Sequence, residues 1–223
     1  MRNQYGALLE IPSWVRQLMA EAEQAGIYST GIESNRRNTR GTAVNADCYG
    51  YNADQHLAVI QVRECRFRTG RFHRVRKDYY LLGRTEDEEV FAHPIESPAR
   101  SKRAMEEPEA TVRWVLARIW DCDESDLPDI IRQGDVAFVP AHLPPHAELL
   151  PAEPDGTSHL TIRGTHLITA ESIYRLNGTF YTVRKARMVH TKGEHAPVRA
   201  NGCYRIQPGL RASVWGFTAP RGD

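Results

Sequence analysis

The sequence predicts an α+β protein that is mainly antiparallel β-sheet, with two to three helices and a barrel- or sandwich-like C-terminal third. Two segments, near residues 12–25 and 109–121, have apolar side chains at helical spacing. From Ser158 onward, short apolar runs follow one another with turn dipeptides between them, which is typical of antiparallel strands.

The N-terminal part begins with the first of these helices, for which Gly26 is a natural stop. Residues 28–52 are rich in Asn, Thr, Gly and Arg, and this composition predicts a long loop or a pair of weakly marked strands. Two strand-like runs follow with a turn at Thr69-Gly70. The second run leads through the acidic tip TEDEE into the strand Val90–Ile95.

The middle of the chain starts with a polar linker and the second helix, whose first turn contains Pro108 and Glu109. The run Asp126–Gly134 predicts a further short helix that ends at the glycine, and Asp135–Pro140 predicts a buried strand. A proline-rich stretch then predicts an extended loop.

The C-terminal third is predicted to be strand after strand. The dipeptides Arg163-Gly164 and Asn177-Gly178 mark turns, and Asn-Gly between apolar runs is a strong hairpin signal. The predicted strands are HLTIRGTHLI, SIYRL, TFYTVRKARMVH, CYRIQ and SVWGF.

Composition indicates a cytoplasmic protein without a membrane partner. No window approaches the roughly 18 consecutive apolar residues of a spanning helix, and the first twenty residues lack an apolar stretch with a cleavage pattern. The four cysteines are far apart, so neither a disulfide framework nor a cysteine zinc site is indicated. We expect one domain over residues 1–223, with a possible subdivision into an N-terminal α/β part (1–105) and a helix plus barrel-like part (106–223).

The net charge of +1 conceals an uneven distribution. Residues 1–80 have a net charge of +4, residues 81–155 of −10 and residues 156–223 of +7. This asymmetry fits a polyanionic ligand on one side of the molecule, and it equally fits a homo-oligomer or a protein partner of complementary charge. Arginine supplies 25 of the 29 basic side chains, which suits phosphate recognition but is also the usage of a GC-rich genome.

An arginine-rich ribbon between Arg63 and Tyr80 is the first candidate site. If it forms strands, alternation places Arg66, Arg68, Arg74 and Arg76 on one face and Cys65, Phe67, His73 and Val75 on the other. Such a face suits phosphates, and an aromatic side chain at its edge would stack on an unpaired base. The alternative is a charged strand face that maintains solubility and protects a sheet edge. The predicted nucleic-acid-binding residues are Arg66, Arg68, Arg71, Arg74, Arg76 and Lys77.

A concentration of histidines is the second candidate site, because six of the nine lie between residues 142 and 195. Four of them are expected to converge at one end of the C-terminal sheet, where neutral imidazoles would bind a divalent zinc, iron or manganese ion. The predicted metal ligands are His159, His166, His190 and His195. Without metal, His159, His190 and His195 are candidate general acids and bases for cleavage of a phosphodiester.

Two stretches carry a family resemblance. They are RQGDV followed by VP at residues 132–140, and VH, EHAPV and GCYRI within residues 189–206. They resemble an uncharacterised group of small prokaryotic or phage proteins. The resemblance implies a prokaryotic or phage origin and the importance of the turn between His190 and His195, and it implies no activity.

The leading hypothesis is a nucleic-acid-binding protein, with a histidine-based phosphodiester-cleaving or metal site as a possible addition. One alternative is a non-enzymatic accessory or assembly protein of a prokaryotic or phage system. Another is a cupin-like metalloenzyme acting on a small molecule. Dinucleotide, P-loop, nucleophile-elbow and zincin motifs are missing from the sequence, which removes the usual support for those enzyme classes.

Overall fold

The computed structural model describes residues 1, 7–34, 40–69, 71–85, 88–98 and 107–210, with the backbone alone at residues 72 and 73. The chain divides into two compact units, the first within Met1–Val115 and the second Leu116–Leu210. The single-domain organisation stays a prediction.

The first unit contains one helix, α1, and a five-stranded antiparallel sheet in the order β1-β2-β3-β4-β5. A second helix, α2, contains the boundary between the units. The bounds are α1 Ser13–Gln24, β1 Gly31–Ser34, β2 Arg40–Asn52, β3 Leu57–Arg68, β4 Arg71–Arg84, β5 Val90–Ile95 and α2 Pro108–Trp120. Both predicted helices and the strands on either side of Thr69 are therefore confirmed. Residues 28–52 contain strands, which was one of the two expectations for them.

Helix α1 packs on one face of this sheet. Val15 and Leu18 of the helix are buried in the same core cluster as Ile60, Val62 and Leu82 of the central strands. The opposite face buries polar aromatic groups, and Gln61 Nε2 donates a hydrogen bond of 2.6 Å to Tyr79 Oη. Both faces are thus covered in the half of the strands that includes Leu57–Val62.

In the second unit the end of α2 is followed by a 3₁₀ helix, Glu124–Asp129, and then by two antiparallel sheets. The four-stranded sheet has the order β14-β13-β10-β9, and the six-stranded sheet has the order β6-β7-β15-β12-β11-β8. The strands are β6 Ile131–Gln133, β7 Val136–Pro140, β8 Glu148–Leu149, β9 Ser158–Ile162, β10 His166–Ala170, β11 Ser172–Leu176, β12 Thr179–Val183, β13 Ala186–His190, β14 Val198–Ala200 and β15 Cys203–Pro208.

The two sheets share one core, so this unit is sandwich-like. Phe138 and Ile206 of the six-stranded sheet are buried in the same cluster as Ile168 and Met188 of the four-stranded sheet. The α+β class with antiparallel sheets is confirmed. Of the two forms expected for the C-terminal third, the sandwich is the one observed, because the sheets stay open in the part of the chain that the structure describes.

Two predicted elements differ from the structure. The helix expected over Asp126–Gly134 is a 3₁₀ helix followed by β6, since Pro128 lacks an amide hydrogen and Ile131 pairs with Phe138. The run TFYTVRKARMVH breaks into β12 and β13, which belong to different sheets, at Lys185 and its neighbour, which both have positive φ. The predicted strand SVWGF lies outside the described residues.

Turn chemistry follows the sequence more closely. Asn177 and Gly178 have φ of 50° and 81°, as expected for the tight turn between β11 and β12. Within the described residues, no helix has both the length and the apolar character needed to cross a membrane.

Candidate functional site

An arginine-lined surface lies on the helix α1 face of the sheet, in the other half of the strands. Cross-strand register places Arg66 opposite Arg74, and Arg76 opposite Glu64. These residues alternate in step with Ile60 and Val62, so they continue the face on which α1 packs. We call this surface the arginine face and define it by Arg40, Arg66, Arg68, Arg71, Arg74 and Arg76.

A β-bulge brings one of these arginines into place. The register shifts after Arg66, so Phe67 lies opposite Phe72 and Arg68 lies opposite Arg71. Strict alternation along β4 would place Arg71 on the face opposite to Arg74, but the extra residue of the bulge reverses it. Arg40 of β2 also lies on the arginine face, because it is directly opposite Arg68 of β3.

One predicted contributor, Lys77, is not brought onto this face, and Phe67 lies on the opposite face as alternation predicts. Lys77 lies opposite Arg63, one position out of step with Arg76, and therefore belongs to the other face of the sheet. The Phe67 ring is also on that face. It lies over Gly41, where a Cβ atom would come within 2.5 Å of the ring. Phe67 therefore covers the backbone of β2 at Gly41.

Positive charge exceeds negative charge on the arginine face. Register adds three carboxylates to the six guanidinium groups, those of Glu33, Glu64 and Asp78. Arg66 Nε is 2.7 Å from Glu64 Oε1, and Arg76 Nε is 3.5 Å from Asp78 Oδ2. Within the part of the chain that the structure describes, the other exposed arginines of β3 and β4 on this face form no ion pair. They are Arg68, Arg71 and Arg74.

Asp78 is the carboxyl group at the buried border of this face. Burial raises the pKa of Asp78 to about 6, Arg76 opposes the increase and Glu64 adds to it. The carboxyl group therefore changes charge close to neutral pH, next to the arginines.

Two concave regions open on these residues. The larger is a shallow groove of about 540 Å³, and its lining combines residues of the arginine face with residues at the edge of the sheet. It is lined by Glu33, Ser34, Arg40, Gly41, Thr42, Arg66, Phe67 and Arg68. The smaller is a recess of about 60 Å³ lined by Glu64, Arg66, Arg74 and Arg76. The lining of the smaller recess is entirely charged, with three guanidinium groups and one carboxylate, and it suits an anion.

Three of the four predicted histidines do converge, at one end of the sandwich core of the second unit. His166 and His190 lie directly opposite each other on β10 and β13, with ring centroids 4.9 Å apart. His195 follows in the β13–β14 loop, and its ring centroid is 5.2 Å from that of His190. In both pairs the rings are close to edge to face, with interplanar angles of 76° and 69°, so His190 is the central ring of the cluster.

His166 is fixed by its surroundings and is only 2% exposed. Its Nε2 is 3.1 Å from the Gln133 carbonyl oxygen and its Nδ1 is 3.1 Å from Thr165 Oγ1. The carbonyl can only accept, so Nε2 carries the proton and Nδ1 accepts from the hydroxyl. Burial lowers the pKa of His166, and the attraction of Asp135, 3.8 Å away, only partly opposes this.

The remaining two rings differ in exposure. His190 is 5% exposed, its Nε2 is 3.5 Å from Glu194 Oε2, and its Nδ1 is buried without a hydrogen-bond partner in the described residues. His195 is half-buried and lies against Gly134, where a Cβ atom would come within 2.6 Å of His195 Nε2. Gln133 Nε2 holds this loop by donating to the Ala196 carbonyl oxygen at 2.7 Å.

His159 does not join the cluster. It lies opposite Thr169 on β10, out of step with His166, and so belongs to the outer face of the four-stranded sheet. Its side chain is 38% exposed, and Nε2 contacts Thr157 Oγ1 at 2.8 Å. The spacing within HLTIRGTH placed both histidines on one hairpin, but it did not place them on one face.

The cluster does not form a metal site in this arrangement. Among the described residues, no group of three or more His, Cys, Asp or Glu side chains is placed to hold a metal ion. A zinc, iron or manganese ion therefore receives no support from the observed geometry, and the metal ligands named from the sequence stay a prediction.

Sequence reasoning missed several residues of both regions. Arg40 lies in a segment whose strands were weakly marked, and the alternating apolar residues Val44, Ala46 and Cys48 were the available signal. Gln133 and Gly134 were assigned to a helix, although they belong to the RQGDV stretch that carried the resemblance. The carboxylates of the arginine face were also missed, although Glu64 and Asp78 alternate in step with the arginines in the sequence.

The fold and these two regions define an α+β protein whose antiparallel sheets present an exposed arginine face in one unit and a buried histidine cluster in the other. No protein-family model, curated protein or solved structure matches the chain. The resemblance read from the two sequence stretches therefore stays a prediction.

Proposed function

We propose that this protein binds nucleic acid through the arginine face. The observation that carries the proposal is the excess of guanidinium groups on one side of one sheet, with Arg68, Arg71 and Arg74 exposed and not ion-paired within the described residues. Guanidinium groups form bidentate hydrogen bonds to phosphate oxygens, and each phosphate neutralised releases counterions.

The arrangement is costly unless an anion binds to it. Arg66 and Arg74 are direct cross-strand neighbours, and like charges in that position destabilise a sheet. A strand face that only needs to remain soluble achieves this with interspersed charges of both signs. A polyanion relieves the repulsion, which favours a phosphate backbone over the solubility alternative.

Phosphodiester cleavage has less support than binding. Both ring nitrogens of His166 have protein partners, and His190 is nearly inaccessible. A general base must reach the proton it removes, and only His195 of the cluster is partly exposed. The accessory or assembly protein and the cupin-like metalloenzyme stay predictions.

The test is a fluorescence anisotropy titration of a labelled single-stranded oligonucleotide and of its duplex, at about 50 and about 200 mM salt. We expect affinity to fall steeply with salt. Replacing Arg66, Arg68, Arg71 and Arg74 together by Ala is expected to weaken binding at low salt by at least about a hundredfold, since several phosphate contacts are lost.

The matched control removes four exposed arginines from the second unit. These are Arg132, Arg175, Arg187 and Arg199, and replacing them by Ala changes the net charge by the same amount. Equal weakening by both variants would show that net charge, and not the arginine face, drives binding. Absence of binding to either oligonucleotide at low salt would contradict the proposal and favour the accessory-protein alternative.

A further inference from the structure

The smaller recess of the arginine face has a lining unlike that of the surrounding surface. All four lining side chains are charged, and three of them are the guanidinium groups of Arg66, Arg74 and Arg76. They come from two adjacent strands, β3 and β4, whose register shifts at the bulge immediately after Arg66. Three cations therefore converge on a single small volume.

The size of the recess limits what it accepts. A volume of about 60 Å³ has room for only a few water molecules. One tetrahedral oxyanion is of that size, whereas a nucleobase or a sugar is larger. The recess therefore fits a phosphate group that enters end on, and a continuous strand would cross its mouth without filling it.

The Glu64 carboxylate neutralises part of the positive charge of the recess. It lies 2.7 Å from Arg66 Nε, and Glu64 is directly opposite Arg76 in register. A phosphate group entering the recess must compete with this carboxylate for Arg66. A phosphomonoester, which carries between one and two negative charges at neutral pH, competes better than a phosphodiester with one.

We propose that this recess recognises the terminal phosphomonoester of a nucleic-acid strand. The inference rests on the proposed function, because the groove of about 540 Å³, which shares Arg66 with the recess, would hold the rest of the strand. Arg66 and Arg74 bind the terminal phosphate from the two sides, and Glu64 sets the selectivity against internal diesters.

The test compares internally labelled oligonucleotides of one sequence and about 12 nucleotides, a length within the usual range of single-strand sites. Their ends carry a 5′-phosphate, a 3′-phosphate, hydroxyl groups only, or a 5′-phosphate capped as its methyl diester. We expect one of the two phosphorylated ends to bind about tenfold more tightly than hydroxyl ends, a difference of about 1.4 kcal/mol. The methyl diester is expected to lose most of this preference.

Variants separate the recess from the rest of the face. Arg74→Gln is expected to abolish the preference for the phosphorylated end, whereas Arg68→Gln, outside the recess, is expected to weaken all oligonucleotides alike and leave the preference intact. Glu64→Gln is expected to strengthen binding and to reduce discrimination against the methyl diester. Inorganic phosphate is expected to compete away the end preference without displacing the strand.

The two proposals fail in different ways. Equal affinity for all four oligonucleotides would overturn the terminal-phosphate inference and leave nucleic-acid binding intact. An end preference that survives in Arg74→Gln would also overturn it. Failure of every oligonucleotide to bind at low salt would instead overturn the proposed function, and the inference with it.

Discussion

Arg66 and Arg74 face each other across the β3–β4 ladder, so two like charges occupy one cross-strand position of an exposed sheet. Glu64 compensates Arg66 at 2.7 Å, whereas Arg74 forms no ion pair among the described residues. A folded protein maintains such a pair at a cost in stability.

Replacing Arg74 by Thr is expected to stabilise the protein while weakening nucleic-acid binding. Removing the like-charge pair and introducing a β-branched residue favours the strand, by about 0.5 kcal/mol in the free energy of unfolding at low salt. Urea unfolding at about 20 mM and about 500 mM salt measures this, and the difference from wild type should shrink at high salt because of screening. Destabilisation at low salt would show that the Arg74 side chain contributes packing that outweighs its repulsion.

Asp78 is expected to make binding depend on pH. Its pKa of about 6 means that the carboxyl group is neutral below pH 6, which leaves Arg76 facing one negative charge fewer. Nucleic-acid affinity should therefore rise as the pH falls from about 7 to about 5.5. In Asp78→Asn the affinity at pH 7 should match that of the wild type at low pH, and a slope that persists in this variant would assign the effect to another group.

Asp78 is also expected to make the free energy of unfolding depend on pH. The folded-state pKa of Asp78 lies above its unfolded value of roughly 3.9, so the folded protein binds the proton more tightly. Its contribution is therefore unfavourable above pH 6 and disappears as the pH falls toward 4. Asp78→Asn should be more stable than wild type at pH 7.5, and the difference should vanish near pH 4.

His166 is expected to act in the opposite direction. Burial lowers its pKa in the folded state, so the unfolded chain takes up the proton first, at its ordinary pKa of roughly 6.5. The stability that the neutral ring contributes is present above that pH and is lost as the pH falls below it. Unfolding at pH 7.5, 6.5 and 5.5 should show a shallower loss for His166→Gln than for wild type. His159→Gln is the control, since His159 is exposed on the outer face.

Much of the fold could be predicted from the sequence because local patterns matched the tertiary environment. Val15, Leu18 and Ala22 recur at helical spacing, and they are the buried residues of α1. Asn177 and Gly178 form a turn in which both residues have positive φ, the conformation that this dipeptide favours. The helix predicted for Ile131–Gln133 is wrong because these residues pair with β7. This pairing is more favourable than a single helical turn after Pro128, since short helices are marginally stable.

The sites were less accessible to sequence reasoning because they depend on faces rather than on composition. A single bulge moves Arg71 onto the arginine face, which alternation does not predict, whereas the position of Lys77 on the other face follows from alternation and could have been predicted. The histidine concentration was visible, yet His159 and His166 are an odd number of residues apart on the two strands once register is counted, and so they point to opposite sides of the sheet. Neither the bulge nor the register has a sequence signal of its own here.

Gly134 supplies a last prediction, because it combines a backbone and a packing requirement. Its φ is +56°, and an added Cβ atom would come within 2.6 Å of His195 Nε2 and 3.6 Å of His166 Nε2. Gly134→Ala should therefore cost about 1 kcal/mol for the left-handed conformation and a further 1 to 3 kcal/mol, roughly, for displacement of His195. Gly193→Ala is the matched control, since Gly193 has a φ of +74° with no atom within 4 Å of the added Cβ and should show the backbone cost alone. Chemical denaturation measures both costs, and imidazole resonances in ¹H–¹⁵N spectra should shift in the Gly134 variant only. Equal destabilisation by Gly134→Ala and Gly193→Ala, with unchanged imidazole resonances, would contradict this prediction. It would show that the position of the His195 ring does not require a glycine at residue 134.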